Sequence, residues 1–130
     1  MQIERLSGDD WRRLKDLRIR ALTDAPDAFA TTLAEVADYP DERWRDQLKT
    51  LVTFVAQDNG ADLGMVRGVT SQADAAEAHL VSMWVAPEVR GRGVAERLVE
   101  VVIAWARDTG HTRLALEVAD ANLPAIALYD

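Results

Sequence analysis

The 130-residue sequence predicts a mixed α/β fold with a largely antiparallel central sheet. Three observations predict it: apolar residues recur at helical spacing in several stretches, apolar runs of strand length lie between them, and an Asn-Gly pair joins two of those runs. Two predicted strands, Ala78–Val85 and Arg113–Val118, lie on either side of a long helix. Because strands joined by a crossover helix run parallel, these two should be parallel neighbours in the sheet.

The N-terminal half is predicted to contain one strand followed by helices. Ser7 and Asp10 form a pattern like a capping box at the start of the first helix, with Asp in place of the usual Glu or Gln. One face of that helix is expected to consist of Trp11, Leu14, Leu17, Arg18, Ala21 and Leu22. The expected elements are a strand at Met1–Leu6, a helix that ends at Pro26, and helical regions at about 27–38 and 41–50, separated by Tyr39-Pro40.

The C-terminal half is predicted to contain the rest of the sheet. Asn59-Gly60 lies between two apolar runs, which is typical of a tight hairpin. Gly110 is expected to cap a long helix whose buried face consists of Ala95, Leu98, Val99, Val102, Ile103 and Ala106. The expected strands are Val52–Gln57, Leu63–Thr70, Ala78–Val85 and Arg113–Val118, and the expected helices are about Val94–Thr109 and Asn122–Tyr129.

Composition and charge exclude several classes of protein. With 48% hydrophobic and 28% charged residues, the chain is expected to form one soluble domain. The net charge of −7 disfavours nucleic-acid and membrane-surface partners, because polyanions would be repelled. The absence of cysteine excludes disulfides, thiolate metal ligands and a cysteine nucleophile. The sequence contains no long apolar span and no signal-peptide pattern, so a cytoplasmic protein is expected.

The most informative segment is Met83–Ala95, which combines the end of a strand, a loop rich in arginine and glycine, and the start of a helix. Free backbone N–H groups at a helix N-terminus bind phosphate groups. Gly91 and Gly93 permit positive φ and the close approach of an anion, and Arg90 and Arg92 supply further donors. The segment lacks the Lys-Ser or Lys-Thr pair of a P-loop and the third glycine of a dinucleotide-binding loop.

The pattern Arg90-x-x-Gly93-x-Ala95, preceded by Val85-x-Pro87, resembles the acyl-CoA-binding loop of the GNAT superfamily of N-acetyltransferases. That loop has the pattern Arg/Gln-x-x-Gly-x-Gly/Ala. The tail at 116–129 is similar to a later segment of the superfamily, in which a strand ends, an Asn follows, and a helix carries an Ala-x-x-Leu-Tyr run. The resemblance covers nearly all of the chain, and it implies a single N-acetyltransferase domain over residues 1–130.

This resemblance implies that the chain binds acetyl-CoA and transfers the acetyl group to a primary amine of a small molecule or peptide, by direct attack in a ternary complex that releases CoA. It implies that Tyr129 is the general acid that protonates the departing thiolate. The superfamily has no fixed general base; Glu77 is the first candidate, and His79 and Glu117 are alternatives. The implied cofactor contacts are Met83, Trp84 and Val85 beside the pantetheine arm, Arg90, Gly91, Arg92, Gly93, Val94 and Ala95 around the pyrophosphate, and Asn122.

Members of the superfamily normally continue after this tyrosine through two further strands. The chain is therefore expected to be truncated at its C-terminus and to lack the usual C-terminal strands. Two other functions stay open: a CoA-binding sensor or assembly domain without turnover, and a nucleotide-binding domain that uses the same loop. An uncovered sheet edge favours a homodimer. No cluster of His, Asp and Glu has metal-ligand spacing, so no metal is expected.

Overall fold

The chain forms a mixed sheet that is covered by helices. The computed structural model describes residues 1–26, 31–118, 121–122 and 126–128. The strands are β1 (Gln2–Arg5), β2 (Val52–Asp58), β3 (Ala61–Thr70), β4 (Glu77–Val85), β5 (Arg113–Val118), β6 (Ala121–Asn122) and β7 (Ile126–Ala127). The helices are α1 (Trp11–Asp24), α2 (Leu33–Ala37), α3 (Asp41–Thr50) and α4 (Val94–Asp108), with 3-10 turns at Gly8–Asp10 and Pro87–Val89.

The strand order confirms the predicted fold class. The strands lie in the order β1-β2-β3-β4-β5, and the two-residue strands β6 and β7 both pair with β5. Neighbours from β1 to β4 are antiparallel, whereas β4 and β5 are parallel. The helix α4 makes the crossover between this parallel pair. The carboxyl end of β4 and the amino end of α4 therefore meet at one edge of the sheet, where ligands of such folds commonly bind.

The hairpin between β2 and β3 turns at Asn59 and Gly60, as predicted. Both residues have positive φ, at 53° and 81°. A type I′ turn requires positive φ at both central positions, and its twist matches that of the strands on either side. Asp58 pairs with Ala61 directly across the turn. The turn sets the register of the first two pairs, and an irregularity between Ala56 and Gln57 then shifts the pairing of β3 against β2 by one residue.

The side chains of β3 alternate between two helical layers. An ideal Cβ on Gly68 would lie 2.7 Å from Cζ3 of Trp105, so this residue faces α4. The neighbouring Arg67 faces the other layer, where its Nη1 donates to Gln47 Oε1 of α3 at 2.7 Å. Because successive strand residues point to opposite faces, α4 covers one face of the sheet and α1 with α3 covers the other.

The helix α1 begins after a short capping turn, as predicted. The N–H of Ser7 donates to Asp10 Oδ2 at 2.9 Å, and the 3-10 turn between them leads directly into the helix. The predicted inward face is confirmed, because the buried residues are Trp11, Leu14, Leu17, Arg18, Ala21 and Leu22. Five of these are apolar and form the expected stripe. The sixth, Arg18, places a cation inside the protein.

The helix α4 has the predicted bounds to within one residue at its C-terminal end. Its fully buried positions are Val94, Leu98, Val102 and Ala106, at a spacing of four. The prediction that Ala95 is buried is wrong, since Ala95 is exposed. The stripe begins one residue earlier because Val94, and not Ala95, lies directly in line with the next three buried side chains. Ala95 is consequently available at the mouth of the preceding loop.

Two other sequence predictions are corrected by the structure. The second helix begins at Leu33, later than the predicted 27, because Thr32 acts as N-cap and its side chain accepts the N–H of Glu35 at 3.2 Å. Residues 27–30 lie outside the described part. The helix predicted over Asn122–Tyr129 is also wrong at the described positions, because Asn122 lies in β6, Ile126 and Ala127 form β7, and Leu128 lies in a bend. Extended backbone there pairs with the outer edge of β5, whose N–H and C=O groups would otherwise lack partners.

The close contact between β3 and α4 gives a stability prediction. A Cβ at Gly68 would lie 2.7 Å from Trp105 and 3.0 Å from Val52, so Gly68→Ala should overpack the core and lower the free energy of unfolding by about 1–3 kcal/mol. Urea denaturation measures this loss, and adding Trp105→Leu should recover part of it. Gly8→Ala is the control, because no atom lies within 4 Å of its added Cβ. Equal stability of Gly68→Ala and the native chain would contradict the prediction.

In the described part of the chain, no helix combines the length and the apolar content needed to cross a bilayer.

Candidate functional site

The loop between β4 and α4 forms a small cavity lined by backbone N–H groups. The cavity encloses about 200 Å³. Gly91 and Gly93 have φ of 80° and 79°, and Gly93 is the N-cap of α4. No N–H group of residues 91–96 donates a hydrogen bond to another described residue. The lining residues are Val85, Val89, Arg90, Gly91, Gly93, Val94, Ala95 and Glu96. Such a set of free donors at a helix N-terminus can hold phosphate.

The strand β4 separates from β5 before it reaches this loop. Their parallel pairing stops at Leu80 and Leu116, although β4 continues to Val85. Ser82 has φ of 58°, a left-handed conformation that non-glycine residues rarely adopt, and the register with β3 shifts at the same place. Within the described chain, residues 81–85 consequently have no strand partner on their β5 side. An extended ligand can add to a free strand side of this kind through main-chain hydrogen bonds.

Arg67 of β3 holds the bulge at Ser82. Its Nε and Nη2 both donate to Ser82 Oγ, at 3.0 and 2.8 Å, while its Nη1 donates to Gln47. Burial in the first place, and the charge of Arg18 in the second, lower the pKa of Arg67 to about 9. The guanidinium therefore stays charged at neutral pH. The unusual backbone at Ser82 is thus stabilised by two charge-assisted hydrogen bonds.

A second hydrogen-bond network joins the loop to the end of α1. Asp24, the last residue of α1, accepts hydrogen bonds from Trp84 Nε1 at 3.0 Å and from Arg90 Nη2. Arg90 Nε also donates to the carbonyl of Val85 at 3.0 Å. The hydrogen bonds from Trp84 first and Arg90 second lower the pKa of Asp24 below its ordinary value. Arg90 lines the cavity, but its guanidinium is already held by protein acceptors.

The Asp24 network gives a pH-dependent prediction. A carboxylate with a lowered pKa stabilises the fold above its unfolded pKa of 3.8, and that contribution disappears as the pH falls through the lower folded value. Asp24→Asn should therefore have a lower melting temperature than the native chain at pH 7, and the difference should shrink as the pH falls below 3.8 toward the lower folded pKa of Asp24. Thermal melts between pH 3 and pH 7 test this. Asp16→Asn, on the exposed side of the same helix, is the control and should melt like the native chain. If Asp24→Asn had the same melting temperature as the native chain at pH 7, the role of the network would be refuted.

The three strand residues predicted to lie beside the pantetheine arm differ in exposure. Trp84 is buried and its indole is held by Asp24, whereas Met83 and Val85 are half-buried. Of these three, Val85 lines the loop cavity. Arg92, also predicted as a contact, is exposed and is not among the residues that line the cavity. The Trp84 side chain is therefore already engaged within the protein, whereas those of Met83 and Val85 remain partly exposed.

Glu77, the first candidate for the base, lies at the opposite end of β4 from the loop. Its carboxylate lies 3.4 Å from His79 Nε2 and 3.7 Å from Arg113 Nε. The structure thus brings two of the three candidate bases together, but neither is among the residues that line the loop cavity. Glu117 and Asn122 are opposite each other in the β5–β6 pairing, and their side chains lie outside the description. Tyr129 also lies outside the described residues.

A match to a known protein family covers most of the chain. The model of the acetyltransferase (GNAT) family matches residues 11–130. The chain belongs to the GNAT family. This membership confirms the resemblance that the Arg90-x-x-Gly93-x-Ala95 pattern and the tail indicated.

Solved acetyltransferases share the fold of this GNAT chain. An aminoglycoside acetyltransferase from an uncultured soil metagenomic sample has a TM-score of 0.74 and 17% identity, over 92% of this chain and 80% of that one. A predicted acetyltransferase from Clostridium acetobutylicum, solved with acetyl-CoA, has a TM-score of 0.70 and 15% identity, over 92% of this chain and 81% of that one. At these identities the likeness establishes the GNAT fold alone.

The curated relatives of this GNAT chain are longer proteins. The mycothiol acetyltransferase of Thermobispora bispora is 30% identical over 118 residues, which are 88% of this chain and 39% of that protein. The chain spans from about a fifth to two fifths of the length of the curated relatives that it matches.

Three residues that shape this site were not predicted from the sequence. Asp24, Arg67 and Ser82 were assigned no role, although they fix the loop and the bulge. Arg67 offered a signal, because it is a charged residue within the apolar run of a strand. Such a residue must be paired or bind an anion. Asp24 and Ser82 carried no comparable signal, since both are ordinary surface residue types whose roles depend on distant partners.

Proposed function

We propose that this chain binds acetyl-CoA at the β4–α4 loop and transfers the acetyl group to a primary amine of a small molecule or peptide. The observation that carries the proposal is the set of N–H groups over residues 91–96 that have no hydrogen-bond partner among the described residues. They lie next to the side of β4 that has no described strand partner, in a chain of the GNAT family. Free amides at a helix N-terminus fit a diphosphate. The free strand side fits the extended, amide-containing pantetheine arm.

The residues present fit this cofactor in their chemistry and in their backbone conformation. Gly93 has φ of 79° and no side chain over the cavity, and a Cβ there would point toward Glu96 Oε2 at 3.9 Å. Donors from the main chain keep their position without a side-chain entropy cost. When bound, acetyl-CoA supplies an acetyl thioester that an amine can attack. In this proposal residues 91–95 hold the diphosphate, and Met83, Trp84 and Val85 align the arm through their backbone.

The proposed reaction is a direct transfer in a ternary complex. The amine nitrogen forms a bond to the acetyl carbonyl carbon, and the bond from that carbon to sulfur breaks. Tyr129 donates its phenolic proton to the departing sulfur, which suits a phenol with a pKa of about 10 and a thiol with a pKa of about 8.5. The amine enters as an ammonium ion, and a base, for which Glu77, His79 and Glu117 are the candidates, takes its first proton before attack. The second amine proton, lost as the amide forms, returns to the Tyr129 oxygen. The products are the amide, CoA and one proton.

Two measurements made together test the proposal. Calorimetry with CoA reports binding at the loop, and release of free thiol from acetyl-CoA with a panel of amines reports transfer. The proposal requires both, with ATP and NAD unable to displace CoA. Binding without transfer to any amine would favour a CoA-binding sensor or assembly domain instead. Equal competition by ATP or NAD would favour a nucleotide-binding domain.

A further inference from the structure

The strand β4 contains one residue more than its pairing with β3 requires. Val81 pairs with Arg67 and Trp84 pairs with Met65, so three steps along β4 correspond to two steps along β3. A regular antiparallel pair has equal numbers of steps on its two strands. The extra residue makes a β-bulge, which reverses the alternation of the strand for every residue beyond it.

The bulge sets which main-chain groups lie on the side of β4 that has no described strand partner. The N–H of Ala86 donates to the carbonyl of Leu63 in β3 at 2.8 Å. Because the N–H and C=O groups of successive strand residues point to opposite sides, those of Val85 point away from β3. One residue fewer in β4 would turn them toward β3 instead. The proposed pantetheine arm pairs with the side away from β3, so its main-chain partners depend on the bulge.

The backbone conformation at the bulge is unfavourable by itself. Ser82 has φ of 58°, in the left-handed region where a residue with a Cβ is disfavoured. The φ of Ser82 also decides the directions of the peptide groups on either side of it. A relaxation of this residue would therefore move main-chain groups at the place where the arm is proposed to bind.

Arg67 opposes such a relaxation. Its Nε and Nη2 donate to Ser82 Oγ at 3.0 and 2.8 Å, and the residue is only 7% exposed. A buried guanidinium has lost its hydration and needs protein acceptors in place of water. A backbone change that turned Ser82 Oγ away would leave two of its nitrogens without their acceptor. The buried cation thus favours the left-handed conformation over the alternatives.

We propose that Arg67 is a positioning residue for the pantetheine arm of acetyl-CoA. By holding Ser82 Oγ, it keeps the end of β4 in the conformation whose main chain is arranged to pair with the arm. The inference rests on the proposed function, because it assigns a further residue to that same site. Arg67 acts through Ser82 and needs no contact with the ligand.

Two substitutions at Ser82 test the inference in the full chain. Ser82→Ala and Ser82→Gly remove the same two hydrogen bonds from Arg67, but only glycine adopts a left-handed φ without a steric cost. Calorimetry should therefore give Ser82→Ala a CoA affinity about 5- to 30-fold lower than that of Ser82→Gly, the ratio that this steric cost implies. Equal CoA affinity of the two variants would overturn the inference.

A shortened ligand shows whether the effect belongs to the arm. The probe is a fragment of CoA that ends at the diphosphate and lacks pantetheine. The loop after β4 has its own determinants, since Gly91 and Gly93 have φ of 80° and 79°. Both Ser82 variants should therefore bind the fragment like the native chain. Equal weakening of CoA and fragment would indicate a general loss of structure and would overturn the inference.

Arg67→Met provides a second, independent variant. An apolar side chain in place of a buried cation is often neutral or stabilising, so this variant should fold. CoA affinity should fall by about 5- to 30-fold, and adding Ser82→Gly should restore it. A residue with only a structural role would not be rescued by a glycine in another strand. Arg18→Met is the control and should keep native affinity, because Arg18 is 5% exposed in the same helical layer and donates to Thr31.

The outcomes separate this inference from the proposed function. CoA binding that weakens in Ser82→Ala and in Arg67→Met, while the fragment is still bound, would support both. Native CoA affinity in Arg67→Met would overturn the inference and retain the proposed function. A native chain that binds neither CoA nor the fragment would refute the proposed function and this role of Arg67 with it. If the Ser82 single variants failed to fold, Arg67→Met with and without Ser82→Gly would decide.

Discussion

Gly93→Val is expected to abolish CoA binding while leaving the chain folded. Gly93 has φ of 79°, a left-handed conformation in which a β-branched side chain is strained by about 1–2 kcal/mol or more. To relieve that strain, the backbone at residue 93 must change its φ, and the N–H groups of Gly91 to Ala95 then no longer point into the cavity together. Loss of two or three hydrogen bonds to a charged diphosphate, at about 1.5 kcal/mol each, weakens binding by roughly 100- to 1,000-fold. Calorimetry with CoA measures this loss.

A control variant separates the loss of CoA binding from the loss of stability that backbone strain causes. Gly60, in the β2–β3 turn, has φ of 81° and no atom within 4 Å of an added Cβ. Gly60→Val should therefore cost similar stability and leave CoA affinity unchanged. If the two variants lost equal stability and Gly93→Val still bound CoA like the native chain, the diphosphate would have to bind elsewhere.

Tyr129→Phe is expected to lower the transfer rate by about 10²- to 10⁴-fold, the usual contribution of a positioned general acid. The change removes one hydroxyl group and keeps the aromatic ring. Without that proton source, the departing thiolate must take its proton from solvent, which raises the barrier to cleavage of the carbon–sulfur bond. Stopped assays of thiol release at saturating acetyl-CoA and amine measure kcat directly.

Binding provides the internal control for this variant. CoA affinity should stay unchanged, since the proposed diphosphate contacts are all in the loop after β4. In the native chain, ionisation of the Tyr129 phenol should lower kcat at high pH, and this decrease should be absent in Tyr129→Phe. A Phe variant that retains kcat to within about threefold would assign the proton donor to another group or to water.

The β4–α4 loop was predictable because its determinants are local. The segment Met83–Ala95 contains the end of a strand, two glycines and the first residues of an amphipathic helix. The structure has a strand, a loop with two positive φ angles and a helix at these positions. The Asn59-Gly60 turn was predictable for the same reason. In each case the residues that decide the backbone are neighbours in sequence.

The bulge at Ser82 and the Asp24 network depend instead on residues far apart in sequence. Ser82 adopts a left-handed backbone while its Oγ is held by Arg67, fifteen residues earlier in the chain. Asp24 acquires its role from Trp84, sixty residues later. The tail was mispredicted for a related reason: helical spacing was followed at Asn122, where the free edge of β5 provides hydrogen-bond partners for an extended chain. Local patterns do not specify contacts of this range.

The position of Asp24 has a consequence for how such a protein can diversify. The Asp24 carboxylate at the end of α1 accepts hydrogen bonds from two parts of the proposed cofactor site. Trp84 belongs to the strand proposed to bind the pantetheine arm, and Arg90 belongs to the loop. A substitution that tilts the last turn of α1 to admit a different acceptor therefore also disturbs the loop. A change of acceptor and the retention of cofactor affinity are then coupled. Substitutions near the end of α1 are expected to be accompanied by compensating substitutions near Trp84 or Arg90.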